Sequence, residues 1–172
     1  MSSRRLFIGL MAAPAVQHEV DRYRQTWTWS TGARLTPLPN LHLTIDFLGD
    51  VAPAHEERLT RALSRVGMLP FQLCLRTPTL WPKGLAIVEP EECPGLQQLH
   101  ANIGLALDAA DIVRDPRPWV PHVTIAREAH DSTVPATFAN IPWLIDRFSL
   151  VWSRGQARAA YEVLASWPTV HA

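Results

Sequence analysis

The stretch LPNLHLTIDFLG, residues 38–49, decides the fold, because its apolar and polar side chains alternate as they do in a half-buried β-strand. Successive side chains along a strand point to opposite faces, so the apolar set is predicted to face the core. That set is Leu43, Ile45 and Phe47. The opposite face, toward solvent or a cleft, is predicted to carry His42, Thr44 and Asp46.

A second stretch, WVPHVTIAR at residues 119–127, repeats the pattern His-x-Thr-Ile of the first. Treated as a strand, it carries His122 and Thr124 on one face and apolar side chains on the other. The composition of the chain predicts about 0.02 copies of this tetrapeptide by chance, and two are present. The repetition therefore indicates that the two motifs act together.

The residue types in the two motifs suit chemistry at phosphorus. Histidine both gives and takes a proton near neutral pH, and the threonine hydroxyl is a stiff, neutral hydrogen-bond donor. In-line displacement at phosphorus needs a base for the attacking oxygen, an acid for the departing oxygen and donors for the non-bridging oxygens. Two facing His–Thr pairs supply that set. We therefore predict one site, built from His42, Thr44, His122 and Thr124.

Two other interpretations of the motifs stay open at this point. The first treats both histidines as structural residues on half-exposed strands, each satisfied by its neighbours. The second is a metal site with two histidines and one carboxylate, formed by His42, Asp46 and His122. The metal site explains neither threonine, and no further ligand stands at a spacing typical of metal sites. We therefore expect no metal.

Around the motifs the chain alternates between strand-like and helix-like segments. Apolar spacing with a period of three to four residues predicts helices at residues 14–27, 53–67 and 94–111. Alternating apolar runs predict strands at residues 5–10, 41–48, 71–81, 84–90, 119–127, 143–153 and 159–167. No linker divides the chain, so we expect one α+β domain over residues 1–172, with antiparallel sheets and flanking helices.

Composition places the chain among ordinary globular proteins. Its 16 basic and 16 acidic residues cancel, which excludes a duplex-binding polycation but is compatible with gripping a single RNA end. The two cysteines, Cys74 and Cys93, fit neither a metal site nor a disulfide scaffold, so a reduced, cytoplasmic compartment is expected. The N-terminal apolar run is short and is interrupted by Pro14, so we interpret it as a strand and expect no signal peptide or membrane span.

At the two motifs the sequence resembles the two-histidine (2H) phosphoesterase superfamily, whose mark is a pair of His-x-Thr/Ser-x motifs. Within it, the chain looks like the bacterial RNA 2',3'-cyclic phosphodiesterases, also called 2'-5' RNA ligases or LigT-like proteins. RLFIGL, LHLTIDFLG and PHVTIAR match the family's opening strand and its two motifs, and the similarity covers nearly the whole chain. The resemblance implies a two-lobed α+β fold, with one motif per lobe around a central cleft.

The resemblance also implies the chemistry. It assigns His42 as the proton donor to the leaving 3'-oxygen and His122 as the base that activates water, with neither metal nor cofactor. The implied substrate is a 2',3'-cyclic phosphate at an RNA end, for example that of a tRNA half, or a 2',3'-cyclic nucleotide. The product is a 2'-phosphomonoester. Reversal with an RNA 5'-hydroxyl in place of water forms a 2'-5' linkage without ATP, and a monomer is expected.

Two further residues are predicted to contact substrate. Arg127 stands three residues after Thr124, so on an ideal strand it points away from the site. A bulge or strand end would turn it back toward a phosphate or nucleotide, and the alternative is a surface salt bridge with Glu128. Phe7, on the first strand, is a candidate for stacking on a base, with core packing as the alternative.

Two charged residues near the motifs are left out of the predicted site. Asp46 shares the predicted face of His42 but lies two steps along it, too far for a direct bond. Arg158 stands three positions before Tyr161, where the family often carries an Arg-x-Arg-Tyr run, and this departure puts a substrate role for Arg158 in doubt.

Two other functions stay open beside the cyclic phosphodiesterase. One is a 2H phosphoesterase that acts on another small cyclic phosphate or on a 2'-5' linked oligonucleotide. The other is a non-catalytic protein that holds RNA ends. The intact pair of histidines favours an enzyme, because a binding protein needs no proton shuttle.

Overall fold

The computed structural model describes residues 3–155 and 161–169. The strands are β1 Arg4–Met11, β2 Arg34–Leu35, β3 His42–Val51, β4 Phe71–Trp81, β5 Leu85–Pro90, β6 Val123–Arg127, β7 Ile141–Ile145, β8 Arg147–Ser153 and β9 Tyr161–Pro168. The α-helices are α1 Pro14–Arg24, α2 Pro53–Leu63 and α3 Pro94–Ala109. Each helix has proline in its first turn, where the missing backbone N–H has no helical partner to lose.

The described strands form one sheet in which paired neighbours run antiparallel. Its order is β7-β4-β5-β6-β3-β1-β8-β9, and the short β2 pairs with β6 outside this path. The two motif strands, β3 and β6, are neighbours in the middle of the sheet, where they share one pair of facing residues, Leu43 and Val123. The sheet therefore has two halves that meet at the motif strands.

Each half repeats one arrangement around its motif. In the first half β1 is followed by α1 and, after the short β2, by β3, and in the second half β5, α3 and β6 follow one another. In both cases the two strands are antiparallel neighbours and the helix connects them. The motif strand is therefore the inner strand of each half, next to the junction.

The helices cover one face of the sheet. Leu6 of β1 and Ile45 of β3 belong to the same buried cluster as Val20, Leu59 and Leu99 of the three helices. Burying this apolar surface supplies most of the drive for the sheet and helices to pack. The opposite face of the two inner strands is left to the polar residues of the motifs.

The predicted strand over residues 143–153 is wrong in one respect, because the structure divides it at Asp146 into β7 and β8. β7 pairs with β4 in one half of the sheet and β8 pairs with β1 in the other, so the chain crosses between the halves here. The predicted helices also run too long: they end at Arg24, Leu63 and Ala109 rather than at residues 27, 67 and 111. β2 lies outside the predicted strands.

The predicted α+β class with antiparallel pairing is confirmed. The first two residues of the predicted last strand, 159 and 160, lie outside the described residues, as does Arg158. Across residues 3–155 and 161–169, no helix is both long enough and apolar enough to cross a membrane.

Candidate active site

The two motifs meet at the junction of the half-sheets. Leu43 and Val123 face each other there, and both are buried in the core. Facing residues of antiparallel strands point to the same side of the sheet, so the residues before and after them point to the other side. That uncovered side carries His42, Thr44, His122 and Thr124, all of them half-buried.

The register at the junction fixes which motif residues are neighbours. Continuing the ladder by one residue in each direction from the Leu43 pair sets His42 beside Thr124 and Thr44 beside His122. The two histidines then occupy diagonal positions, which lie about 7–8 Å apart on adjacent antiparallel strands. Each histidine therefore has the hydroxyl of the other motif as its nearest cross-strand neighbour.

A β-bulge interrupts both motif strands at the same place. Consecutive residues of β1 pair with Thr44 and Asp46, which leaves Ile45 without a partner. On β6 the extra residue is Ile125, and it stands at the same position of its motif. A bulge inserts one extra residue into one strand of a pair. Beyond it, each side chain of that strand points to the face opposite to the one that simple alternation predicts. The simple alternation of the motifs therefore ends at their isoleucines.

The bulges correct two predictions about β3. Phe47, predicted to face the core, faces Phe7 across the ladder and lines an open cleft. Asp46, predicted to share the face of His42, instead pairs with the core residue Ile8, and the carboxylate of Asp46 is buried. Its partner is Arg114, whose Nε donates to it at 2.7 Å.

The second bulge turns Arg127 toward the uncovered face. An ideal strand would point this residue away from His122, and the extra residue at Ile125 reverses that direction. Arg127 is exposed, and its positive charge lowers the pKa of both His42 and His122. Among the described residues it forms no salt bridge, and Glu128 pairs with Arg34 at 3.4 Å instead.

Each histidine is held through the same ring nitrogen. Nδ1 of His42 lies 2.7 Å from the carbonyl oxygen of Asn40, and Nδ1 of His122 lies 2.7 Å from that of Val120. A carbonyl oxygen only accepts hydrogen bonds, so Nδ1 carries the proton in both rings. Nε2 is then the nitrogen that exchanges protons: it accepts when the ring is neutral and donates when the ring is charged.

Aromatic rings pack against both imidazoles. The ring of Phe7 lies 4.7 Å and that of Tyr161 4.9 Å from the His42 ring, between centroids. The ring of Trp81 lies 4.5 Å from that of His122. Phe7 is 3% exposed, so its ring has little surface left for a base and serves mainly as a wall for His42. Sequence reasoning missed the contacts of Tyr161 and Trp81.

Both histidines are poorer bases than a histidine in water. Burial is the main cause that lowers the pKa of His42, to about 4, and the charges of His122 and Arg127 lower it further, against the hydrogen bond to Asn40. Burial likewise lowers the pKa of His122, while the Val120 carbonyl and Glu89 oppose the shift. The effect of His122 on His42 reflects the closeness of the two rings.

The two motif hydroxyls are available to a ligand. Across the described ranges, neither Thr44 Oγ1 nor Thr124 Oγ1 forms a hydrogen bond with another protein group. Both side chains lie on strands next to the histidines, and their β-branched carbon limits rotation. They can therefore donate to an oxygen that lies between the two rings.

The loop before β6 is tied to β3 by polar contacts. Trp119 donates its indole N–H to the Thr44 carbonyl oxygen at 3.0 Å, and its ring stacks on His100 at a centroid distance of 3.9 Å. Arg114, which also lies in this loop, binds Asp46. These contacts hold the loop that leads into the second motif against the strand of the first. They join segments far apart in sequence, so no local pattern predicts them.

A cleft of about 640 Å³ opens beside this loop. Thr44, Phe47, Trp119 and His122 are among the residues that line it. His42 is not among them and borders Phe7 and Tyr161 instead. The two histidines therefore have different surroundings: His122 faces the larger open space and His42 is the more enclosed.

The arrangement of acidic groups argues against the alternative metal site. Asp46, its proposed carboxylate, is turned away from His42 and is bound by Arg114. Within residues 3–155 and 161–169, no three His, Cys, Asp or Glu side chains come together as they would around a metal ion. The described residues thus offer proton transfer groups and hydroxyl donors at this site.

Known proteins are similar to this chain in sequence and in fold. Residues 12–157 match the profile of the 2'-5' RNA ligase superfamily. The RNA 2',3'-cyclic phosphodiesterase of Escherichia coli K12 is 26% identical over 170 residues, which is 95% of this chain and 96% of that protein. That of Geobacillus stearothermophilus is 28% identical over 149 residues, covering 76% of this chain and 46% of that one.

Solved structures with a similar fold include those of E. coli LigT. The apo form of E. coli LigT superposes with a TM-score of 0.87 at 25% identity and covers 99% of this chain and 100% of its own. E. coli LigT in complex with 3'-AMP gives a TM-score of 0.84 at 27% identity, covering 98% of this chain and 99% of its own. Since the profile spans most of the sequence, the chain belongs to the 2'-5' RNA ligase superfamily.

Proposed function

We propose that this protein hydrolyses the 2',3'-cyclic phosphate at an RNA end to a 2'-phosphomonoester. One observation carries the proposal: two His-x-Thr motifs meet across a single ladder pair, and each histidine has Nδ1 tied to a carbonyl oxygen. That arrangement leaves two Nε2 atoms for one phosphate. The names of the E. coli and Geobacillus relatives, RNA 2',3'-cyclic phosphodiesterase, support the substrate.

In this mechanism the two histidines work on opposite sides of the phosphorus. Neutral His122 takes a proton from water at Nε2, and the water oxygen attacks phosphorus in line with the departing 3'-oxygen. Charged His42 gives its Nε2 proton to that 3'-oxygen as the P–O bond breaks. The 2'-oxygen keeps the phosphate. The open cleft beside His122 gives the entering water access, which fits its role as the base.

The remaining residues stabilise charge or position rings. Thr44 and Thr124 donate to the non-bridging oxygens, where negative charge builds up in the transition state. Arg127 supplies a positive charge from the same face. Phe7 and Trp81 hold the two imidazoles in place, so we assign Phe7 a positioning role instead of a base contact.

The same groups are suited to ligation of a second RNA. An RNA 5'-hydroxyl that replaces water would give its proton to His122 and form a 2'-5' phosphodiester as the 3'-oxygen leaves. The cyclic phosphate already contains the energy of a strained diester, so no nucleotide cofactor enters the step. Both reactions break the same bond to the 3'-oxygen and differ only in the oxygen that attacks phosphorus.

Product analysis in the presence of EDTA tests this function. The enzyme should convert 2',3'-cyclic AMP to 2'-AMP at the same rate with and without excess EDTA, because two histidines and a charged arginine replace the metal ion. Phosphorus NMR distinguishes the 2'- from the 3'-monophosphate. A 3'-monophosphate product would reverse the sides assigned to acid and base. Activity lost with EDTA and restored by zinc or manganese would contradict the mechanism.

The pH dependence should report the lowered pKa values. Activity needs charged His42 and neutral His122, so kcat/KM falls above the higher of their pKa values and below the lower one. Because burial lowers the pKa of His42 to about 4 and also lowers that of His122, the alkaline fall of kcat/KM should begin below pH ~6.5.

Bound substrate should shift the alkaline limb of the pH–rate curve to higher pH. The anionic phosphate favours the charged form of each imidazole and raises both pKa values, so the alkaline limb of kcat should lie about one pH unit above that of kcat/KM. Initial rates between pH 4 and 9, at limiting and at saturating 2',3'-cyclic AMP, measure both curves. If kcat and kcat/KM both fell with the same alkaline limb above pH 7, the assignment of charged His42 as acid and neutral His122 as base would be contradicted.

A further inference from the structure

Strand β1 brings a second arginine to the uncovered face of the sheet. Leu6 and Ile8 are fully buried and belong to the core cluster. Alternation along the strand therefore points Arg5 and Phe7 to the opposite face, where Phe7 packs against the His42 ring. Arg5 lies one side-chain repeat, about 6–7 Å, further along the same face.

The guanidinium of Arg5 packs on an aromatic residue that lines the cleft. It sits over the ring of Phe47 at 5.2 Å from the centroid, and Phe47 lines the cleft. The ring limits the positions that the long side chain adopts, so the charge is held near the site. Arg5 is thus a preoriented cation on the same face of β1 as Phe7, the residue that packs against His42.

Arg5 also has no salt-bridge partner in the described part of the chain. Asp50 faces Arg5 across the β1–β3 ladder, but the exposed guanidinium lies over the Phe47 ring and is not within salt-bridge distance of that carboxylate. Two other arginines of this region do have partners: Arg4 binds Glu56 at 3.3 Å, and Arg154 binds Glu162. An exposed, ordered and unpaired cation beside a phosphate site is suited to bind another phosphate.

The chemistry of the cyclic phosphate fixes the direction in which RNA extends. The ribose carries both the 2'-oxygen and the leaving 3'-oxygen, so it lies on the side of the phosphorus where His42 donates its proton. The rest of the RNA is attached to the same ribose through its 5'-carbon. The chain therefore leaves the site on the His42 side, where Phe7 and Arg5 follow one another along the same face of β1.

We propose that Arg5 binds the phosphodiester that links the cyclic-phosphate nucleotide to the nucleotide before it. This inference rests on the proposed function, and it names the substrate as a polynucleotide end in preference to a free cyclic nucleotide. A mononucleotide has no phosphate at that position. Arg5 consequently raises the efficiency of the enzyme on an RNA end and adds little on the smallest substrate.

The test compares two substrates in the variant Arg5→Gln. One is 2',3'-cyclic AMP, and the other is the dinucleotide ApA that ends in a 2',3'-cyclic phosphate. We expect kcat/KM for the dinucleotide to fall about tenfold more than kcat/KM for the mononucleotide, because one charged hydrogen bond is lost. The slope of log kcat/KM against log salt for the dinucleotide should become less steep by about 0.7.

The variant Arg4→Gln is the matched control. Arg4 is the neighbouring residue of the same strand, points to the other face and is paired with Glu56, so its loss should change both substrates alike. Equal losses on both substrates in Arg5→Gln, or no loss on either, would overturn the proposal. Failure of the unmodified protein to hydrolyse either substrate would instead refute the proposed function.

A binding measurement keeps the inference testable apart from turnover. Affinity for the ApA dinucleotide with a 2'-phosphate end, and for 2'-AMP, is measured by titration of tryptophan fluorescence. Arg5→Gln should weaken dinucleotide binding about tenfold more than mononucleotide binding. The same loss for both ligands, or for neither, would show that Arg5 makes no contact with the second phosphate.

Discussion

Replacement of His122 by alanine is expected to lower kcat/KM for a 2',3'-cyclic nucleotide by about 10²–10⁴-fold, and His42→Ala should have an effect of similar size. Each variant removes one proton-transfer group and leaves the other. The double variant should lose less than the product of the two single losses, because groups that act as a unit are not additive. Initial rates of the three variants measure these effects.

A more selective change separates proton transfer from structure. In His122→Asn the side-chain amide keeps a donor near the position of Nδ1, where the imidazole binds the Val120 carbonyl, but has no counterpart of Nε2. We expect the His122→Asn variant to unfold at the same temperature as the unmodified protein and to be as inactive as the His122→Ala variant. His55, an exposed residue of α2, is the control, and His55→Ala should be fully active. Full activity of His42→Ala or His122→Asn would remove that residue from the mechanism.

The alternation of the motifs predicted the fold near the site as far as the isoleucines. Leu43 and Ile45 are buried, and the half-exposed His42 and Thr44 lie between the apolar positions as expected. The prediction fails at Asp46, because a bulge depends on how two strands pair and leaves no trace in a single strand's periodicity.

The environment of the histidines was beyond sequence reasoning for a similar reason. Tyr161 reaches His42 from β9, and Trp81 reaches His122 from the end of β4. Arg114 and Trp119 tie a loop to β3 through contacts between distant segments. The motifs name the groups that carry protons, whereas the surrounding rings and the lowered pKa values arise from tertiary packing.

The crossing of the chain at Asp146 illustrates the same limit on a larger scale. Only Asp146 and Arg147 interrupt the apolar pattern between β7 and β8, so one long strand is the simplest prediction. The structure needs two, because β7 completes the half-sheet of the second motif and β8 that of the first. Which half a strand joins is decided by its pairing partners and not by its own sequence.

Removal of the hydroxyl from either motif threonine should have the second-largest effect on rate. In Thr44→Val and Thr124→Val the shape of the side chain is kept, and valine suits a strand as well as threonine does, so the fold should be unchanged. The donor to the non-bridging oxygen is lost. We expect a loss of about 2–4 kcal/mol in transition-state stabilisation, as for an oxyanion donor, seen mainly in kcat.

The serine variants provide the matched control for this prediction. Thr44→Ser and Thr124→Ser keep the hydroxyl and remove a methyl group, so they should retain most of the activity. Their loss should be small, because serine rotates more freely than the β-branched threonine. Thermal unfolding of all four variants separates stability from catalysis. If the valine and serine variants were equally active, the hydroxyls would have no part in binding the phosphate, and the threonines would serve the site only as strand-forming residues beside the two histidines.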